Sequence, residues 1–137
     1  MRVVLDKNVL LSTLISPHGA PDAICRAWRS ARFDLVISIV QLDELRRASR
    51  YPKLKAFLSP QAVGAMVNKM QRAIVLDRLC SAFEANDPDD AFLLSMASDG
   101  EADFLVRGDR RAGLLQRGSS GRTRILTPAA FCANVHG

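Results

Sequence analysis

Arg2-Val3-Val4-Leu5-Asp6-Lys7-Asn8-Val9-Leu10 decides how the rest of the chain is read. The apolar, partly β-branched run to Leu5 spells a short buried strand, and Asp6 ends it. From Val9 to Ile15 the apolar residues fall at helical spacing until Ser16-Pro17-His18-Gly19 stops them. An acid therefore stands where a strand hands over to a helix, and this succession of strand, polar junction and helix recurs along the chain.

Pro21 and Asp22 open a second helix through Ala31, with Ile24, Ala27, Trp28 and Ala31 on one face, so Trp28 reads as core. Phe33 to Ser38 is the next strand. Ser38 suits the cap of a helix over Val40 to Ser49 that carries Glu44 and ends before Pro52. Leu54 to Leu58 makes a short helix, and Ser59-Pro60 starts another whose buried stripe includes Met66 and Met70. Ala73 to Asp77 is a third strand. Asp87-Pro88-Asp89-Asp90 begins a helix to about Ser98, and Ala102 to Val106 is a fourth strand after the Gly100 stop. Asp109 caps a helix through Gln116. The polar stretch Gly118 to Arg122 turns into a last strand, Arg124 to Leu126, and Thr127-Pro128 opens a terminal helix. Strands alternating with helices imply right-handed crossovers and a mostly parallel sheet covered on both faces. The expectation is an α/β three-layer sandwich around a sheet of about five strands, in one domain spanning residues 1–137.

Composition narrows the function classes. No apolar stretch approaches the roughly 18 to 20 residues of a membrane span, and the first strand begins without a signal-like segment, which points to a soluble, cytoplasmic protein. Three widely spaced cysteines, no CxxC pair and two histidines argue against a disulfide scaffold, a zinc site and His-based covalent catalysis. Net charge is +5. If four of the 14 acidic residues gather at one site, the surface left over is more basic than that total implies, and a polyanion is the natural partner.

Those four are Asp6, Glu44, Asp90 and Asp109. Open parallel sheets bind ligands at the carboxyl ends of their strands, and carboxylates gathered there require a cation between them. Each has a plainer reading. Asp6 or Asn8 suits a helix cap, Asp109 does too, Asp87 with Pro88 makes Asp90 the third residue of a capped helix, and Glu44 follows Asp43 on a solvated face. If strand alternation continues past Leu5, Asp6 and Asn8 face one cleft and Lys7 is sent to the other side.

In order and flanking residues, Leu5-Asp6-Lys7-Asn8-Val9-Leu10, Glu44 in Leu42-Asp43-Glu44-Leu45, Asp90-Ala91-Phe92-Leu93-Leu94 and Phe104-Leu105-Val106-Arg107-Gly108-Asp109 together resemble the PIN domain. This family of metal-dependent nucleases includes the VapC-type toxins of toxin–antitoxin pairs. The resemblance implies a ribonuclease whose Asp6, Glu44, Asp90 and Asp109 hold Mg2+ or Mn2+, ions that activate water for in-line attack on a phosphodiester. It casts Asn8 as the residue that orients a carboxylate, and implies a cognate antitoxin as partner and a homodimer. Arg46, Arg47 and Arg50 beyond Glu44, with Arg110 and Arg111 beyond Asp109, would form a basic rim for the RNA backbone, with Tyr51 as the exposed aromatic.

Two positions depart from the family pattern. Small hydroxyl residues are usual where this chain has Lys7 and Arg107. A cation from either, reaching the cleft, would replace metal and leave a catalytically weakened RNA- or protein-binding module. A phosphoryl-transfer domain of the receiver or phosphatase kind is the third reading, disfavoured because Asp6-Lys7-Asn8 lacks the second acid of an Asp-x-Asp phosphatase.

Overall fold

A computed structural model describes residues 1–15, 20–48, 50–52, 61, 64, 68, 73–80, 83, 88–108 and 118–136. The strands are β1 (Arg2–Leu5), β2 (Asp34–Ser38), β3 (Ile74–Leu76), β4 (Phe104–Val106), β5 (Ser119–Ser120) and β6 (Thr123–Leu126). The helices are α1 (Lys7–Ile15), α2 (Ala20–Arg29), α3 (Ile39–Ala48), α4 (Pro88–Asp99) and α5 (Pro128–His136). The expected Leu54 to Leu58 helix, most of the Ser59-Pro60 helix, the Asp87 cap and the Asp109 to Gln116 helix lie outside the described residues.

The strands form one sheet in the order β3-β2-β1-β4-β6-β5. All neighbours are parallel except β5, which runs antiparallel to β6. The sixth strand comes from the polar stretch read as a turn. Ser119 and Ser120 pair with Arg124 and Thr123 around Gly121-Arg122, and Gly121 takes φ 57, a conformation glycine reaches without a Cβ clash.

Strand alternation divides the core in two. Val3, Leu5, Leu35, Ile37 and Val106 face a cluster built with Val9, Leu10, Ile24, Ala27, Leu42, Leu45 and Phe131. Val4, Val36 and Leu105 face the opposite cluster, built with Leu93, Leu94, Met96 and Ala97 of α4. The sheet is therefore covered by α1, α2, α3 and α5 on one side and by α4 on the other, the expected three layers. Phe131 anchors the first side, edge-on to Phe33 and Phe104 with ring centroids 5.4 and 5.6 Å away. Trp28 packs on the same cluster as partly buried core.

Local signals set the helix starts. The Ser38 hydroxyl accepts from the Gln41 amide at 3.2 Å and caps α3, and Thr127 accepts from the Ala130 amide at 3.2 Å and caps α5. The Asp6 carbonyl accepts from the Leu10 amide, so α1 begins immediately after β1 with no intervening loop. Among the described residues no helix is long and apolar enough to cross a membrane.

Candidate active site

The strand order reverses between β1 and β4. From β1 the chain builds outward through β2 to β3, and from β4 it builds the other way to β6. Such a switch point opens a crevice at the carboxyl ends of the two central strands. The register pairs Leu5 with Val106, and the ladder continues one step beyond the strands: the Asp6 amide donates to the Val106 carbonyl and the Arg107 amide to the Leu126 carbonyl, both at 3.0 Å. Asp6 and Arg107 thus stand side by side at the crevice. They share the alternation of Val4 and Leu105, the residues facing α4, and α4 contributes Asp90.

Arg107 and both carboxylates are buried. The Arg107 side chain is 8% exposed, with Nη1 2.9 Å from Asp90 Oδ1 and 3.8 Å from Asp6 Oδ2. A guanidinium therefore sits between the two carboxylates, where ionised groups persist only when paired. Its Nε is buried without a hydrogen-bond partner among the described residues. Asp6 serves two purposes: Oδ1 accepts from the Asn8 amide at 2.9 Å, which caps α1, while Oδ2 faces Arg107. Capping and site formation are one arrangement here.

Lys7, Asn8, Gln41, Glu44 and Asp89 line the same cleft with Asp6 and Arg107, over an apolar wall of Phe92 and Leu93. Lys7 does not point away. Its Nζ lies 3.7 Å from Glu44 Oε2 in a half-exposed ion pair. The expectation from strand alternation fails because α1 starts at Lys7, so the backbone leaves the period of two right after Asp6. Both departures from the family pattern thus bring a cation to an acid of the set.

Gln41 is the residue that sequence reasoning missed. It sits one helical turn before Glu44, is 2% exposed, and its Nε2 donates to the Leu5 carbonyl at 3.0 Å. That bond ties the helix bearing Glu44 to the end of β1, which Asp6 directly follows. Its Oε1 is buried without a hydrogen-bond partner among the described residues. The available signal was position: Gln41 precedes Glu44 by three residues on one helix face, among apolar neighbours.

Asp6, Glu44 and Asp90 are brought to one sheet edge, whereas Asp109, Arg110 and Arg111 lie outside the described residues. Arg46, Arg47 and Arg50 are exposed on and just beyond α3 and do not line the cleft. Asp43 engages the first two, pairing with Arg46 at 3.5 Å and accepting at its carbonyl from Arg47 Nε at 3.4 Å. Tyr51 is 55% exposed. Carboxylate oxygens suit a hard divalent ion, so the donors fit Mg2+ or Mn2+ in kind. Among the described residues no three acidic, imidazole or thiol side chains converge as a ligand set, and Arg107 holds the position between Asp6 and Asp90.

The fold has counterparts among known proteins. A family model described as PIN domain matches residues 2–111, and the chain belongs to the PIN domain family. Among solved structures it is similar to VapBC2 from Rickettsia felis bound to a DNA fragment from their promoter. That similarity has a TM-score of 0.59 at 16% identity and covers 93% of this chain and 98% of the other, a likeness of fold. No curated protein matches the chain.

Proposed function

We propose that this PIN domain is a metal-dependent ribonuclease and the toxin of a toxin–antitoxin pair, acting in the cytoplasm. The observation that carries the reading is the placement of Asp6 and Asp90 on either side of Arg107 at the switch point of a parallel sheet, with Glu44 lining the same cleft as Asp6, in a chain of this family. In this reading Asp6, Glu44, Asp90 and Asp109 hold Mg2+ or Mn2+. The ion supplies charge that favours attack by water and departure of the leaving oxygen. The chain's own residues provide the frame: the Asn8 amide orients the Asp6 carboxylate, Gln41 ties Glu44's helix to β1, and Phe92 and Leu93 bound the cleft with apolar surface. Arg46, Arg47, Arg50, Arg110 and Arg111 grip the RNA backbone from the rim. The VapBC2 assembly of similar fold supports a cognate antitoxin as partner, and a homodimer completes the proposal.

One observation favours a second reading, a weakened PIN-like module that binds RNA or protein without cutting. The pair Arg107–Asp90 at 2.9 Å, with Lys7 on Glu44, already neutralises part of the acidic set. RNA cleavage in Mg2+ or Mn2+ by the wild type, Asp90→Asn and Lys7→Thr separates the two. The nuclease reading expects metal-dependent cleavage that falls by at least 100-fold in Asp90→Asn, on the order of a lost group in metal-assisted hydrolysis. An inert wild type with activity gained in Lys7→Thr selects the second reading. Equal cleavage by all three proteins refutes the nuclease.

A further inference from the structure

The position between Asp6 and Asp90, where a divalent ion is expected, is held by a cation of this chain. We infer that Arg107 is the resident counter-ion of the cleft and that it alternates with the divalent ion, so that metal enters only when the guanidinium leaves. The inference rests on the nuclease reading above and adds a regulatory contact to that site.

Backbone position makes Arg107 a permanent resident of the neighbourhood. Its amide is tied to the Leu126 carbonyl and its neighbour Val106 is fixed in the central ladder, so any exchange is made by side-chain rotation alone. Burial makes the pairing strong. With 8% of the side chain exposed, solvent screens little of the attraction to Asp90 at 2.9 Å and Asp6 at 3.8 Å. Charge forbids double occupancy, because a divalent ion at the same two carboxylates would meet the guanidinium at contact distance and repel it.

The pairing is also incomplete. The buried Nε–H has no hydrogen-bond partner among the described residues, so the guanidinium is not the fully satisfied fork of a purely structural ion pair. The carboxylates hold Nη1, while among the described residues Nε finds no acceptor. A small hydroxyl at position 107 would leave the carboxylates open to metal, whereas arginine closes the site in its resting form. The Lys7–Glu44 pair is 45% and 36% exposed at its side chains and is the weaker of the two contacts.

The experiment measures Mn2+ affinity from the free-ion electron paramagnetic resonance signal, with melting in chelator and in saturating Mn2+, for wild type and Arg107→Thr. Arg107→Thr is expected to bind Mn2+ at least tenfold more tightly, to melt lower than wild type in chelator, and to gain more from Mn2+. Arg107→Thr binding no more tightly than wild type, whether both bind or neither does, overturns the inference. Should Arg107→Thr not fold, the 15Nε resonance of Arg107 in the wild type decides: it must shift as Mg2+ is added, and a signal unchanged to saturation refutes the alternation. RNA cleavage by both proteins at saturating Mn2+ reports on the nuclease separately. Cleavage with equal affinities overturns only the role of Arg107; a tenfold gain in affinity without cleavage overturns only the nuclease.

Discussion

A carboxylate that accepts from fixed donors resists protonation, and Asp103 is the clearest case in this chain. It stands at the amino-terminal edge of the sheet, opposite the cleft, where its Oδ2 accepts from the Arg2 amide and its Oδ1 from Arg122 Nη2, both at 2.9 Å. Its backbone joins the starts of β1 and β6, donating to the Arg2 carbonyl and accepting from the Arg124 amide. The Arg2 amide, then the Arg122 guanidinium, hold its pKa below the ordinary carboxylate value. The folded state therefore favours the ionised form. The resulting stability is fully present above the unfolded carboxylate pKa and is lost as pH falls through the lowered folded one. Asp103→Asn should cost about 1 kcal/mol or less at pH 7, since the pair with Arg122 is exposed and screened, and the gap should narrow at acid pH. Urea unfolding of both proteins at neutral and acid pH checks this; a gap that widens on acidification would contradict the assignment. At the opposite edge, Asp6 and Asp90 are buried around Arg107, and their balance is one of ion against ion.

At the scale of elements, the end of α4 shows how tightly the second layer is set. Gly100 follows the helix directly, and its amide donates to the Met96 carbonyl at 2.8 Å. A Cβ built there would lie 2.6 Å from Val36 Cγ1 and 3.0 Å from the Met96 carbonyl oxygen. Val36 is completely buried in the middle of β2 and has no room to yield. Gly100→Ala should therefore destabilise the protein by about 1 to 3 kcal/mol, the usual cost of overpacking, through displacement of α4 from the sheet. Thermal melting measures the loss, and an unchanged or raised Tm would rule out that packing. Because Asp90 rides on α4, the same substitution should also loosen its contact with Arg107. Helix starts were readable from residue type: Ser38 and Thr127 cap as their hydroxyls require, and the observed α3 and α5 begin next to them.

For the whole molecule, the net charge of +5 becomes an interaction prediction once Asp6, Glu44 and Asp89 are seen to line a cleft. Arg46, Arg47 and Arg50 stand exposed on and just beyond α3, the helix that carries Glu44. If the rim grips RNA, replacing all three by alanine should weaken binding of single-stranded RNA and lower the slope of log affinity against log salt by about 2. Fluorescence anisotropy over a range of salt concentrations measures that slope, and an unchanged slope would remove these arginines from the interface. Alternation of apolar strands with helical segments determined the layered α/β architecture, because hydrophobic pattern and turn chemistry are local properties of the chain. The placement of Asp6 and Asp90 at helix starts was legible for the same reason, whereas Glu44 lies inside α3 and no local signal sets it apart. Lys7 and Arg107 were legible as departures from the family pattern, but whether either cation reaches an acid was not. Strand alternation sent Lys7 away, yet α1 begins at that residue and turns it toward Glu44. Arg107 reaches Asp90, 17 positions earlier in the chain, because β4 lies beside β1 and α4 crosses the face below them. Buried charge pairing depends on distances between elements remote in sequence, so only the tertiary structure decided that this acidic cleft carries a counter-ion of its own.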